Sequence, residues 1–135
     1  MDKFNKMLAG AEPMVLSIFR FITGLLLFQY GVAKLFKYPP LPMFAKVELM
    51  SLYGAAGSLE LVLGALLMIG LLTRPVAFLL SGEMAFAYFM GHYPKGFIPI
   101  INGGSAAILF CFACLYFFFA GGGVWSVDAM MGKKR

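Results

Sequence analysis

The chain has 135 residues, 61% of them apolar and 13% charged, with a net charge of +5 and a mean hydropathy of +0.87. That is length for one domain, and a composition well outside that of water-soluble domains, where about 25% of residues are charged. The positive charge forms no basic, aromatic-interleaved stripe, so contact with anionic membrane lipids and membrane topology account for it, and nucleic acid is not expected as a partner.

Apolar residues fall in four blocks, 14–36, 49–73, 75–93 and 103–120, each close to the roughly 20 residues a helix needs to cross a bilayer. The blocks are apolar all round, whereas helices of a soluble bundle keep a polar face. They also lack the period-two alternation of membrane β-barrel strands. The expectation is an all-α integral membrane four-helix bundle, up-down-up-down, in a single domain over 1–135. The first block is too long for a cleaved signal, holds Arg20, Gln29 and Lys34, and has no small-x-small exit site, so it reads as a retained span.

Basic residues at the block ends set the orientation. Lys3, Lys6, Arg74, Lys133, Lys134 and Arg135 fall on one side, and Lys37, Lys46 and Lys95 on the other. Six against three places both termini in the cytoplasm of a bacterial cell, with the protein multi-pass in the inner membrane. The turn Thr73-Arg74-Pro75 makes the second and third helices antiparallel neighbours, with Pro75 suited to a first helical turn. KYPPLPMFAKVE (37–48) and HYPKGFIPIINGG (92–104) mix Pro, aromatic and Lys residues, as chain lying against headgroups does. Their likeness hints at a duplicated helical hairpin. Asn102 and Ser105 are candidate caps for the fourth helix.

Counted from the cytoplasmic ends, Arg20 lies about 9 Å deep, Glu83 about 14 Å and Glu60 about 20 Å. Each charge costs about 2.5–3.5 kcal/mol at a span's centre on insertion scales, so these residues should face the protein interior and pair or protonate. Arg20, Gly24, Gly31 and Lys34 share one helix face, and Tyr53, Gly57, Glu60 and Gly64 another. Glycine at those spacings lets helices approach closely, which makes the polar faces packing faces as well. Arg20 is expected to hold one or both carboxylates. Either the pair only fixes helix register, or the surplus carboxylate handles protons. Glu60 and Glu83 are therefore the candidate proton-handling residues, with Glu60, nearer the middle, the expected active one.

The single histidine, His92, lies about 180° round its helix from Glu83 and stays apart from it, either as an interfacial residue or as a proton or ligand contact at the outer mouth. Lys34 can snorkel outward. Cys111 and Cys114 form CFAC in the fourth block, without the electropositive, accessible setting of reactive pairs, and read as packing residues. They lack partners for a zinc site. One histidine cannot give two axial haem ligands in a monomer, no four-cysteine set suits an iron–sulfur cluster, and no P-loop is present. No metal or haem is expected.

Arg20 with FQYGVAKLF (28–36), LELVLGALLMIGLLTRP (59–75), EMAFAYFMGHYPKGFIPIINGG (83–104) and GGGVWSVDAM (121–130) give the chain a resemblance to the DoxX family of small four-helix bacterial membrane proteins. That family shares its name with the membrane component of thiosulfate:quinone oxidoreductase and with membrane oxidoreductase assemblies. The resemblance implies quinone as the cofactor, and a role as membrane subunit of a quinone-linked oxidoreductase with redox centres elsewhere. It leaves two other readings standing, a proton-coupled small transporter and a non-catalytic accessory protein. Many relatives carry NGGE where this chain has NGGS, so Ser105 replaces a carboxylate, and many carry histidine where this chain has Tyr30. Arg20, Lys34, Tyr30, His92 and Asn102 are the candidate binding residues, and a protein partner or a homo-oligomer is expected alongside membrane lipids.

Overall fold

A computed structural model describes residues 1–132, so the tail residues Lys133, Lys134 and Arg135 of the charge count lie outside the described residues. The chain is all-α, and no strand occurs among the described residues. The elements are α1 (Asp2–Phe36), α2 (Leu52–Ile69), α3 (Thr73–Ala87), α4 (Pro99–Asn102), α5 (Ser105–Ala120) and α6 (Val127–Met130). A 3-10 turn, Pro42–Phe44, follows α1, and α3 runs on through a π-helical turn at Tyr88–His92 and a 3-10 turn at Tyr93–Lys95. Two helices, α1 and α2, are long and apolar enough to cross a membrane, and α5 is a shorter apolar helix.

Boundaries follow local chemistry more closely than hydropathy. α1 starts twelve residues before the apolar block because DKFNKMLAGAE is made mostly of good helix formers, with Asp2 in the first turn where a negative charge suits the helix dipole. α2 is shorter than its block. Ser51 caps it by accepting from the Gly54 N–H at 3.1 Å. Gly70 ends it in the left-handed region, φ 73°, with its N–H on the Leu66 and Leu67 carbonyls. The turn between α2 and α3 is therefore Gly70–Leu72, and Thr73-Arg74-Pro75 is the first turn of α3. Pro75 sits there, where its missing N–H had no helical partner to lose. No side chain caps α5 at its Gly104 N-cap, and Ser105 is its first residue.

α1 packs along α2, and α3 along α5. One core joins the pairs, with Leu16 and Leu27 from α1, Leu67 from α2, Leu80 and Met84 from α3, and Cys114 and Phe117 from α5. The α1–α2 seam is built on the glycines the sequence placed there. A Cβ on Gly31 would stand 2.6 Å from Leu61 N and 2.8 Å from Gly57 O, and one on Gly64 would stand 2.9 Å from Phe28 N. The two backbones are in contact, which only glycine permits.

Gly31→Ala is expected to lower stability by about 1–3 kcal/mol through overpacking. Gly82, with nothing within 4 Å of an added Cβ, is the matched control, since Gly82→Ala should be neutral or gain about 0.5–1 kcal/mol from helix propensity. Thermal unfolding of both variants in mild detergent checks the contrast, and equal losses would contradict this packing.

Candidate functional site

Buried charge collects in two places. The first joins α1, α2 and α3. Lys34, in the last turn of α1, points inward, and its Nζ donates to Glu60 Oε1 at 2.9 Å and Oε2 at 3.1 Å. The side chains are 10% and 2% exposed. The Lys34 ammonium also lies 5.9 Å from the Tyr30 ring centroid and 5.6 Å from that of buried Phe44, so two aromatic rings close it off from the end of the helix. Lys34 reaches this position because Gly57, one turn from Glu60, leaves room for its stem. A Cβ on Gly57 would meet Lys34 Cβ at 2.9 Å.

Glu83, half-buried on α3, brings a second carboxyl group to the pair. It stands close enough to Glu60 and Lys34 for its charge to interact with both. Its Oε1 is buried with no hydrogen-bond partner. On the same helix pair, Ser81 Oγ donates to the Cys111 carbonyl at 2.8 Å. Both thiols are free, with Cys114 inside the core and Cys111 at its edge.

Arg20 does not join this group. It is buried midway along α1, four turns before Lys34, where Nη1 donates to the Gly122 carbonyl and Nη2 to those of Met68 (3.2 Å) and Trp125 (3.0 Å), with Asp128 as an opposing charge. Asp128 in turn accepts from the Leu72 and Thr73 N–H groups, both at 2.9 Å. It thus caps α3 from 55 residues away, and its negative charge faces the positive end of that helix. Ser17 completes the latch, donating to Gly122 O and accepting from Trp125 N. The segment 121–130 is in this way fastened to the middle of α1, the end of α2 and the start of α3. A cavity of about 280 Å³ adjoins Arg20, walled by Ile18, Phe21, Ile69 and Trp125.

At the far end, His92 Nδ1 lies 3.1 Å from the Asn102 carbonyl, and buried Asn102 donates to Tyr88 Oη (3.1 Å) and Gly96 O (2.9 Å) while accepting from Gly104 N. Asn102 therefore organises the turn before α5, and His92 stays apart from Glu83. The sequence reading paired Arg20 with the carboxylates and left Lys34 able to reach outward. The structure reverses the first, because Arg20 finds backbone carbonyls and a local Asp, and turns Lys34 inward, where Gly57 leaves an opening. Asp128, Phe44 and Ser17 were missed. The GGG run followed by Ser and Asp at 121–128 was the available signal, since glycines mark close backbone approach and Ser and Asp mark helix starts.

A model of the DoxX family matches residues 15–93, more than half the chain and the part that holds Arg20, Lys34, Glu60 and Glu83. The chain belongs to the DoxX family. DoxX proteins are membrane-associated, in keeping with the two helices long enough to cross a bilayer. A relative described as an uncharacterized protein of Haemophilus influenzae is 37% identical over 134 residues, covering 91% of this DoxX chain and 95% of its own length. No solved structure matches.

Glu60→Gln leaves the buried Lys34 ammonium without its counter-charge, and should lower stability by about 3–5 kcal/mol. Glu83→Gln removes a carboxyl group that Lys34 does not hold directly, and should change stability by less than about 1 kcal/mol. Unfolding midpoints of the two variants, compared side by side, test the ranking, and the opposite order would sink it.

Proposed function

We propose that this DoxX protein is a multi-pass protein of the bacterial inner membrane, an up-down-up-down bundle with cytoplasmic termini, and that it is the proton-handling membrane subunit of a quinone-linked oxidoreductase system. The observation that carries the reading is that two carboxyl groups, Glu60 and Glu83, converge in the interior on one ammonium, Lys34. A register-fixing ion pair needs one acid and one base. The second acid is surplus to that purpose, and ionisable surplus within spanning helices marks functional sites.

The residues at this point suit a quinone head. Glu83 Oε1 is a buried, unpartnered carboxyl oxygen, and a carboxylic acid can donate to a ligand carbonyl where a backbone-satisfied group cannot. Tyr30 and Phe110, edge to face at 6.3 Å, add flat apolar surface near Lys34. A bound quinone would supply a two-electron, two-proton acceptor, with electrons delivered by a redox partner. The chain's own part is proton traffic. Lys34 keeps Glu60 as its ionised counter-charge, and Glu83 gives a proton from its carboxyl group to the reduced quinone and takes one back from water between turnovers. Glu60 was the carboxylate favoured from depth alone. Its hold on Lys34 moves the working role to Glu83.

Purified protein is expected to gain thermal stability with added decylubiquinone in a dose-dependent way, and Glu83→Gln should keep the ligand-free midpoint while losing most of that gain. No gain in wild type, or an equal gain in the variant, removes the quinone reading. Proton-coupled uptake in vesicles then favours the transporter, and inertness there the accessory protein. For topology, reporter fusions after residues 45 and 96 should signal from the periplasm, and a cytoplasmic signal from either would overturn the orientation.

A further inference from the structure

The charge cluster lies near one end of the helices and far from the other. Lys34 is two residues, about 3 Å, from Phe36, where α1 ends. In the opposite direction Glu60 is nine residues, about 14 Å, from Ile69 at the end of α2, and Glu83 is ten residues, about 15 Å, from Thr73 at the start of α3. That longer way is filled. Leu27, Leu67 and Leu80, on the far side of Lys34, Glu60 and Glu83 from the end of α1, have no exposed surface, and the Arg20 latch lies beyond them. Close-packed apolar side chains hold no file of water. A carboxyl group that exchanges protons needs a wetter path, and the end of α1 is the near one.

That end is covered by a strap. Residues 37–51 join α1 to α2, and Phe44 is the one buried residue among them. Its ring lies 5.6 Å from the Lys34 ammonium. Tyr30, the other ring beside that ammonium, is exposed and borders Phe110 of α5, which leaves Phe44 to cover the pair from the helix end. Lys37 holds the strap down. It ends α1 in the left-handed region, φ 57°, and its Nζ donates to the Lys34 carbonyl at 2.9 Å and to the Val47 carbonyl. The Val47 N–H in turn donates to the Phe44 carbonyl at 3.2 Å. One lysine therefore ties the turn that carries Phe44 to the helix end above the buried pair. Met43, beside Phe44 on the same turn, is exposed.

We propose that the charge cluster opens to water only at this end, and that Phe44, held in place by Lys37, is the gate on that route. The gate rests on the proton-handling reading for its use, and it assigns the exchange of protons to the side of the membrane on which α1 ends. Lifting a strap that few hydrogen bonds anchor costs far less than parting the leucine layer, so the strap is the part of the path that opens. Closed, the Phe44 ring keeps the ion pair dry, where its attraction is strongest. Open, it lets water reach Glu83.

A membrane-impermeant acetylating reagent, sulfo-N-hydroxysuccinimide acetate, tests the gate on the full chain in spheroplasts and in inverted vesicles. Mass spectrometry reads Lys34 against Lys46, which lies on the strap itself. Lys34 should stay unlabelled in wild type. Phe44→Ala and, separately, Lys37→Met should each raise its labelling about tenfold, and only from the side that labels Lys46, while Met43→Ala should leave it at the wild-type level. Cys114, inside the core, should resist a maleimide throughout, which shows that the helices stay packed. If Phe44→Ala exposes Cys114, Lys37→Met carries the test alone, and unchanged Lys34 labelling in it overturns the proposal. Wild-type Lys34 labelled as readily as Lys46 also overturns it, as does labelling of Lys34 from the side that modifies Lys3 and Lys6. The labelling needs no quinone, so a failed gate and a failed decylubiquinone response are told apart.

Discussion

A lysine ammonium and a carboxylate 2.9 Å apart, both nearly sealed from solvent, set the terms for the rest of this molecule. Two charges out of water are tolerable only when their mutual attraction and hydrogen bonding offset desolvation. That demand requires Lys34 and Glu60 to meet across the α1–α2 seam. It explains the glycines, because a side chain at Gly57 would occupy the space of the lysine stem. It also explains why a third group, Glu83, matters. With Lys34 already shared between both oxygens of Glu60, the additional carboxyl is the one that Lys34 does not hold.

Arg20 does a different job with the same chemistry. Its guanidinium gathers carbonyls from α2 and from the segment after α5, and Asp128 balances the charge while capping α3. Backbone groups at helix ends need partners somewhere. Here the carboxyl-terminal segment supplies them, tying the end of α2 and the start of α3 to the middle of α1, about 12 Å along α2 from Glu60, the rise of the eight residues to Met68. The molecule thus separates a latch that holds its helices from a charge cluster in which a carboxyl group is left over.

Much of this was legible in the residues. Long apolar blocks identify the four main helices, and the glycine spacing on the first two correctly identifies the face on which they meet. The cost of a buried charge correctly turns Glu60 inward. The partner of Glu60 was not legible, because depth along a helix says nothing about which way a long side chain bends, and Lys34 bends inward over a glycine one seam away. Nor was the role of Asp128, which caps α3 through contacts between residues far apart in the chain. The extension of α1 beyond its apolar block was missed for a simpler reason. Hydropathy marks where lipid begins, whereas helix propensity carries on through DKFNKMLAGAE.

The Lys34–Glu60 pair is the claim on which the surplus of Glu83 depends, and a double-mutant cycle measures it directly. Lys34→Met, Glu60→Gln and the double variant are compared by unfolding midpoint. A true buried pair predicts that each single change destabilises and that the double variant recovers stability relative to their sum, with a coupling of about 1–3 kcal/mol. Strict additivity would mean that the two side chains do not interact, and Glu83 would no longer be the carboxyl group left over.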